Sequence, residues 1–246
     1  MYLKSPVTMK RVKAAILMTL FLILPVSTYA QDAGASKIKF EDRKKIRVGF
    51  LVYNGVEAQD LNGPLDVFVK ASRMGGNFDI FLISSTPDKN IKTESETVHL
   101  RAQYSIEDAP QTDILIIPGA APDIVRSLSV QNDPLKAWMI SQNKNTVITG
   151  SVCTGSLFLG DLGFLEGHKA TTHPACLQAL KKIKGIDVQE HVRFTMDQKY
   201  ITGSGITSGI DVALYLIEMI RGKQQADLIA KIMVYNRNGD MEFMQQ

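Results

Sequence analysis

The stretch "TGSVCTGSLFLG", residues 149–160, sets one cysteine, Cys153, among small residues at the end of an apolar run and ahead of a helical pattern. A side chain at such a strand-to-helix elbow is lifted above the sheet, and its neighbours must be small because adjacent elements pass close by. The position also brings the sulfur near the first turn of a helix, where unpaired N–H groups favour the thiolate. The expectation is a depressed thiol pKa and a nucleophile suited to covalent catalysis, with the N–H groups around Thr154 able to hold developing negative charge. A packed core thiol is the competing reading, because burial is the commonest fate of a free cysteine. The frame of small residues favours the nucleophile.

A nucleophilic thiol needs a proton partner. In "GVEAQDLNGPLDVF", residues 55–68, Asp60 stands ahead of a helix expected from about residue 62, with Gly63 and Pro64 in its first turn. Two roles compete for Asp60: a helix N-cap, or the acid that carries the proton of the cysteine adduct. Facing a thiolate in a tight crevice, the carboxyl would not persist as a second full anion, so the pair should hold one proton and titrate as a unit. "HKATTHPACLQAL", residues 168–180, adds His173, which either lies beside Cys153 and orients it or simply starts a helix against Pro174. Cys176, three residues on, is read as packing.

These residues must be held by elements that alternate in type. β-rich runs at 46–53, 78–84, 113–119, 146–150 and 200–205 are separated by helical patterns at roughly 62–74, 122–129, 133–143, 154–162, 174–183, 208–221 and 224–235. The segment at 97–106 reads as a small hairpin or an edge strand. Such alternation predicts a doubly wound α/β fold, a mostly parallel sheet with helices on both faces, whose ligand crevice lies beyond the carboxyl ends of the strands. The residues just past those ends are Asp60, Gly119 with Ala120, Cys153 with Thr154, and the loop from Gly203 to Thr207. Gly119, Ala120 and Ile206 are assigned to binding substrate or a developing oxyanion.

The chain opens with Lys4, Lys10, Arg11 and Lys13, an apolar run from Ala14 to Leu24, Pro25 and then small residues. This is the anatomy of a secretory signal peptide over residues 1–30, with cleavage expected after Ala30. The apolar run is short for a spanning helix, so no stable membrane anchor is expected and the product should be exported, periplasmic or secreted. The whole chain carries 28 basic and 25 acidic side chains. Losing the first 30 residues takes four of the basic ones and none of the acidic, so the basic balance belongs to the leader. A nearly neutral remainder with no basic cluster argues against nucleic acid as a partner. Residues 31–45 read as a polar tether, 46–236 as one α/β domain and 237–246 as a tail. Two cysteines argue against a disulfide-built scaffold, even in the oxidising compartment that the leader implies.

Three segments together, "GFLVYNGVEAQDLNGPLDVF", "SVCTGSLFLGDLGFLEGHKATTHP" and "ITGSGITSGIDVAL", resemble the ThiJ/PfpI family of the class I glutamine-amidotransferase-like superfamily. The pairing of "SVCTGS" with "ATTH" about twenty residues later is most similar to the isonitrile hydratase branch. The resemblance implies a flavodoxin-like sandwich, a homodimer, a small electrophilic substrate and no cofactor. It assigns the active cysteine to Cys153, the acid to Asp60, the following threonine to Thr154 and the histidine of the "ATTH" segment to His173. The reaction it implies is hydration of an isonitrile to an N-substituted formamide. A glyoxalase-like or deglycase-like reaction on reactive aldehydes and a non-catalytic redox or ligand sensor are the alternatives. The sequence departs from the family in three places. Pro118-Gly119-Ala120 replaces Pro-Gly-Gly, Pro174 replaces an aromatic after the histidine, and Gly203-Ser204-Gly205 replaces three glycines.

Other signals are discounted. "GSGITSG" lacks the spacing and the following strand of a dinucleotide site. His99, His168, His173 and His191 form no metal-ligand spacing, so no metal site is expected. Met219, Met233 and Tyr235 read as core or dimer contacts.

Overall fold

The computed structural model describes Phe40 and residues 45–237; the leader and most of the tether and tail lie outside the described residues. A seven-stranded sheet forms the middle layer. Its parallel core consists of β1 (Ile46–Val52), β2 (Phe78–Ser84), β6 (Ile114–Ile117), β7 (Ile148–Val152) and β11 (Tyr200–Gly203), in the spatial order β2-β1-β6-β7-β11. Counting only these five, the order is 2-1-3-4-5, that of flavodoxin-like folds. One edge carries β5 (Tyr104–Ser105), parallel to β2, and the other carries β10 (Phe194–Asp197), antiparallel to β11.

Both sheet faces are covered, which is why β6 and the part of β1 after Arg47 read as unbroken apolar runs rather than alternating ones. Ile114, Leu115, Ile116 and Ile117 are all fully buried. One helical layer comprises α1 (Ala58–Ala71), α6 (Ser208–Arg221) and α7 (Lys223–Ile232); the other comprises α2 (Pro122–Gln131), α3 (Asp133–Asn145), α4 (Gly155–Asp161) and the short α5 (Leu177–Lys181). Outside the main sheet lie an antiparallel hairpin of β3 (Asn90–Lys92) with β4 (His99–Arg101), and a parallel pair of β8 (Lys169–Ala170) with β9 (Asp187–Val188). The stretch expected as a hairpin or an edge strand is therefore both, since β4 closes the hairpin and β5 edges the sheet. Among the described residues, no helix is long and apolar enough to cross a membrane.

One boundary differs in a way that matters for the site. Helix α1 starts at Ala58, and Glu57 caps it by accepting the Gln59 N–H at 3.1 Å. Asp60 is thus inside the first turn and is not the N-cap. Pro64 lies within the helix, where its missing N–H leaves the Asp60 carbonyl without the usual partner four residues on. The expected start near residue 62 follows from the preference of proline for first turns. What keeps the proline in place is close packing between α1 and α6: an added Cβ at Gly209 would come within 2.9 Å of Pro64 Cδ.

Candidate active site

The ends of β1 and β6 diverge at the point where strand order reverses, and the segments that follow them line the resulting crevice. Asp60 enters from α1 after β1, Gly119 follows β6, and Cys153 follows β7. Cys153 adopts φ of +57°, a conformation that non-glycine residues rarely take, which puts it on a sharp elbow between β7 and α4. Its N–H donates to the Gly203 carbonyl at 2.9 Å, and its carbonyl accepts the hydroxyls of Thr172 at 3.1 Å and Ser156 at 3.2 Å. The strained residue is thereby held from three elements.

Asp60 is fully buried. One carboxylate oxygen, Oδ2, accepts the Gly119 N–H at 3.0 Å; the other, Oδ1, is buried without a hydrogen-bond partner among the described residues. Burial raises the Asp60 pKa to about 7, helped by the negative charges of Glu57 and Glu94 and opposed by the Gly119 N–H and the Cys153 thiol. Burial also pushes the Cys153 thiol well up, and the Asp60 charge adds to that, against the Thr154 N–H, which lowers it. The expected depression of the Cys153 pKa is therefore overturned. A single N–H at the start of a helix does not outweigh a dry site that already holds a carboxylate. What the geometry supports is a thiol and a carboxyl that resist a second negative charge through neutral pH, which is the shared-proton pair expected from their proximity.

Thr154 follows the cysteine and faces the β6 end. Its Oγ1 accepts the Ala120 N–H at 3.0 Å and donates to the Ala120 carbonyl at 2.7 Å. The backbone donors of Gly119 and Ala120, expected to face an oxyanion, are thus both committed to the protein's own Asp60 and Thr154. They build the site instead of presenting N–H groups to a ligand. Gly119 has no room for a side chain, because a Cβ there would lie 2.6 Å from Thr154 Oγ1 and 2.8 Å from Asp60 Oδ2. From the far side, Gly205 closes over the sulfur: a Cβ on it would lie 2.9 Å from Cys153 Sγ. Ile206, next to it, is 40% exposed at the rim of that loop.

His173 is half-buried, and its Nδ1 accepts the Ala175 N–H at 3.2 Å, capping the 3₁₀ turn Pro174–Cys176. It is placed as the start of a helical turn, with no hydrogen bond to Cys153. The neighbouring Thr172, which sequence reading passed over, is the residue of the "ATTH" segment that reaches the elbow. Tyr53 was also missed. Its hydroxyl donates to the Pro118 carbonyl at 2.7 Å beneath the crevice, and its pKa is raised by burial and then by the charges of Asp60 and Cys153. Its position directly after the first strand was the available signal.

The architecture and the thiol–carboxyl pair define a class: flavodoxin-like α/β proteins with a cysteine on the elbow after the fourth core strand. The chain belongs to the DJ-1/PfpI family, which it matches over residues 46–219. It is 34% identical to an isonitrile hydratase from Pseudomonas putida over 184 residues, 75% of this chain and 76% of that protein. It is also 23% identical to the HTH-type transcriptional regulator GbdR of Pseudomonas aeruginosa over 80% of this chain, but it spans only 53% of that regulator's length. Among solved structures, a ThiJ/PfpI family protein from Pseudomonas syringae superposes with a TM-score of 0.69 at 26% identity, covering 80% of this chain and 76% of the other. An oxidized DJ-1 from Toxoplasma gondii superposes with a TM-score of 0.64 at 22% identity, covering 77% and 98%, and shares the fold.

Proposed function

We propose that this protein is a cysteine-dependent, isonitrile hydratase-like enzyme that adds water to an isonitrile to give an N-substituted formamide. The observation that carries the reading is the buried Asp60 carboxyl beside Cys153, with a pKa of about 7 and one unpartnered oxygen. The 34% identity with the hydratase from Pseudomonas putida supports it.

The chemistry follows from one shared proton. Asp60 takes the thiol proton as Cys153 Sγ bonds to the terminal carbon of R–N≡C, then delivers that proton to the same carbon, leaving the thioformimidate R–N=CH–S–Cys153. The Asp60 carboxylate next accepts a proton from water as the oxygen bonds to that carbon, and passes it to nitrogen. Breaking the C–S bond releases R–NH–CHO, and the hydroxyl proton returns to the thiolate. A group that titrates near neutrality suits a step in which it must both accept and donate.

With the N–H groups of Gly119 and Ala120 committed, the Thr154 N–H at the thiol is the one donor of that group left for an oxyanion, which favours this substrate over an aldehyde. Attack on an aldehyde creates an oxyanion that needs such donors, whereas the first step on an isonitrile protonates carbon and creates none. The test is a turnover panel of isonitriles and α-oxoaldehydes with the parent protein and Cys153→Ala. Formamide release that depends on Cys153 is the expected result; turnover of the aldehydes alone would replace the assignment. We further propose that the enzyme acts outside the cytoplasm, from the leader-like residues 1–30. N-terminal sequencing of the protein recovered from the cell envelope, expected to begin near Gln31, checks this.

A further inference from the structure

Two acidic side chains, Glu57 and Glu94, stand near Asp60 on the segments that follow β1 and β3. Glu57 caps α1 three residues before Asp60, and its own N–H donates to the Gly119 carbonyl at 2.8 Å. Glu94 is brought beside it from the hairpin loop, because its N–H donates to the Val56 carbonyl at 3.1 Å and Thr93 bridges Val56. Both carboxylates act on Asp60 as negative charges, and the neighbouring Glu57 raises the pKa of Glu94. Glu94 is exposed and Glu57 half-buried, so the cluster runs from solvent down to the buried Asp60 and its unpartnered Oδ1. Two cations on neighbouring elements are engaged in ion pairs. Lys92 on the same hairpin pairs with Glu96 at 3.3 Å, and Arg193 beneath the Gly203–Thr207 loop pairs with Asp211 at 2.5 Å.

We infer that Glu57 and Glu94 set the charge selectivity of the site, admitting neutral or cationic electrophiles to Cys153 and repelling those that carry a carboxylate, sulfonate or phosphate. The inference rests on the reading that Cys153 is the reacting group. A cleft lined by one sign of charge with low-dielectric walls concentrates the opposite sign and excludes its own, and the effect collapses with salt.

The experiment compares two methanethiosulfonate reagents of similar size, one ending in trimethylammonium and one in sulfonate, on the full chain in a Cys176→Ser background. Peptide mapping confirms the labelled site, and 2-mercaptoethanol is the reference thiol. The cation-to-anion rate ratio at Cys153 is expected to exceed that of the reference by roughly tenfold at low salt. It should fall two- to threefold in Glu94→Gln, fall further in Glu57→Gln/Glu94→Gln, and shrink in 1 M salt. A ratio equal to that of 2-mercaptoethanol, or one that neither variant changes, overturns the inference. A parallel arm measures kcat/KM for matched isonitriles bearing a neutral, amine or carboxylate end, and the carboxylate is expected to be the poorest. If no isonitrile turns over while the reagent ratio holds, the hydratase reading has failed and the charge selectivity stands. Labelling that bypasses Cys153 removes the premise of both.

Discussion

Cys153 and Cys176 are buried to nearly the same degree, 7% and 8% exposed, and each stands at the start of a helical segment. Burial raises the pKa of both thiols. By the criteria of burial and helix position they are the same residue twice. What separates them is company. Cys153 sits at positive φ against a buried carboxyl and beneath the backbone of Gly205, whereas burial alone accounts for the shift at Cys176. On the proposed reading, the reactivity of Cys153 comes from a neighbour able to take the proton, and the helix terminus contributes only a correction.

The largest effect should come from deleting each sulfur in turn. Cys153→Ala is expected to lower kcat by on the order of 10³-fold or more, while Cys176→Ala stays within about threefold of the parent. Comparable losses in steady-state turnover would erase the distinction between the two sites.

Asp60→Asn tests the neighbour itself. The amide keeps the acceptor for the Gly119 N–H but cannot titrate, so kcat should fall by roughly 10²–10⁴-fold, the range of general acid–base catalysis. Stability should move the other way. A folded-state pKa of about 7 against an ordinary 3.8 means that the native state keeps the Asp60 proton after the unfolded state has lost it. Stability therefore falls as pH rises from about 4 to about 7, by up to about 4 kcal/mol for this one group. Thermal unfolding should find Asp60→Asn more stable than the parent at pH 8 and little different at pH 4. In the same variant, the pH dependence of alkylation should show the Cys153 pKa falling, since the carboxylate no longer opposes the thiolate, while Cys176 is unmoved.

Smaller effects concern the frame. Gly119→Ala forces a Cβ between Thr154 and Asp60, with an expected cost of about 1–3 kcal/mol in chemical denaturation and a displaced carboxyl. Activity should drop more than the stability loss explains. Thr154→Val strips the partner from both the N–H and the carbonyl of Ala120, and about 1–3 kcal/mol of stability should go with it. Full activity retained in Gly119→Ala would show that the carboxyl need not sit where it does.

How far the sequence speaks depends on whether the signal is local. The five core strands stood out as β-branched and apolar runs because parallel strands buried on both faces leave no polar alternation to obscure them. Strand β10 was invisible for the opposite reason. Its hairpin to β11 turns through Gln198 and Lys199, with Gln198 at φ +53°, and neither residue carries the Gly, Asn or Asp signature of a two-residue turn. The small-residue frame made the Cys153 elbow legible, and the loop after β1 made Asp60 a candidate. The direction of the Cys153 pKa was not legible. It depends on how much water is excluded and on which charge lies across the crevice, and both are properties of segments nearly a hundred residues apart. Thr172 and Glu94 stayed hidden likewise, since each earns its place through a contact made only in three dimensions.

The bond from the Gly119 N–H to Asp60 Oδ2 has a spectroscopic consequence. An amide proton is polarised more strongly by a carboxylate than by a neutral carboxyl, so the Gly119 resonance should migrate as Asp60 titrates. The protein carries its own indicator of the buried charge. In an isotope-labelled sample, that one cross-peak would follow the charge on Asp60 in the resting protein and with a substrate analogue bound, without altering any residue of the site.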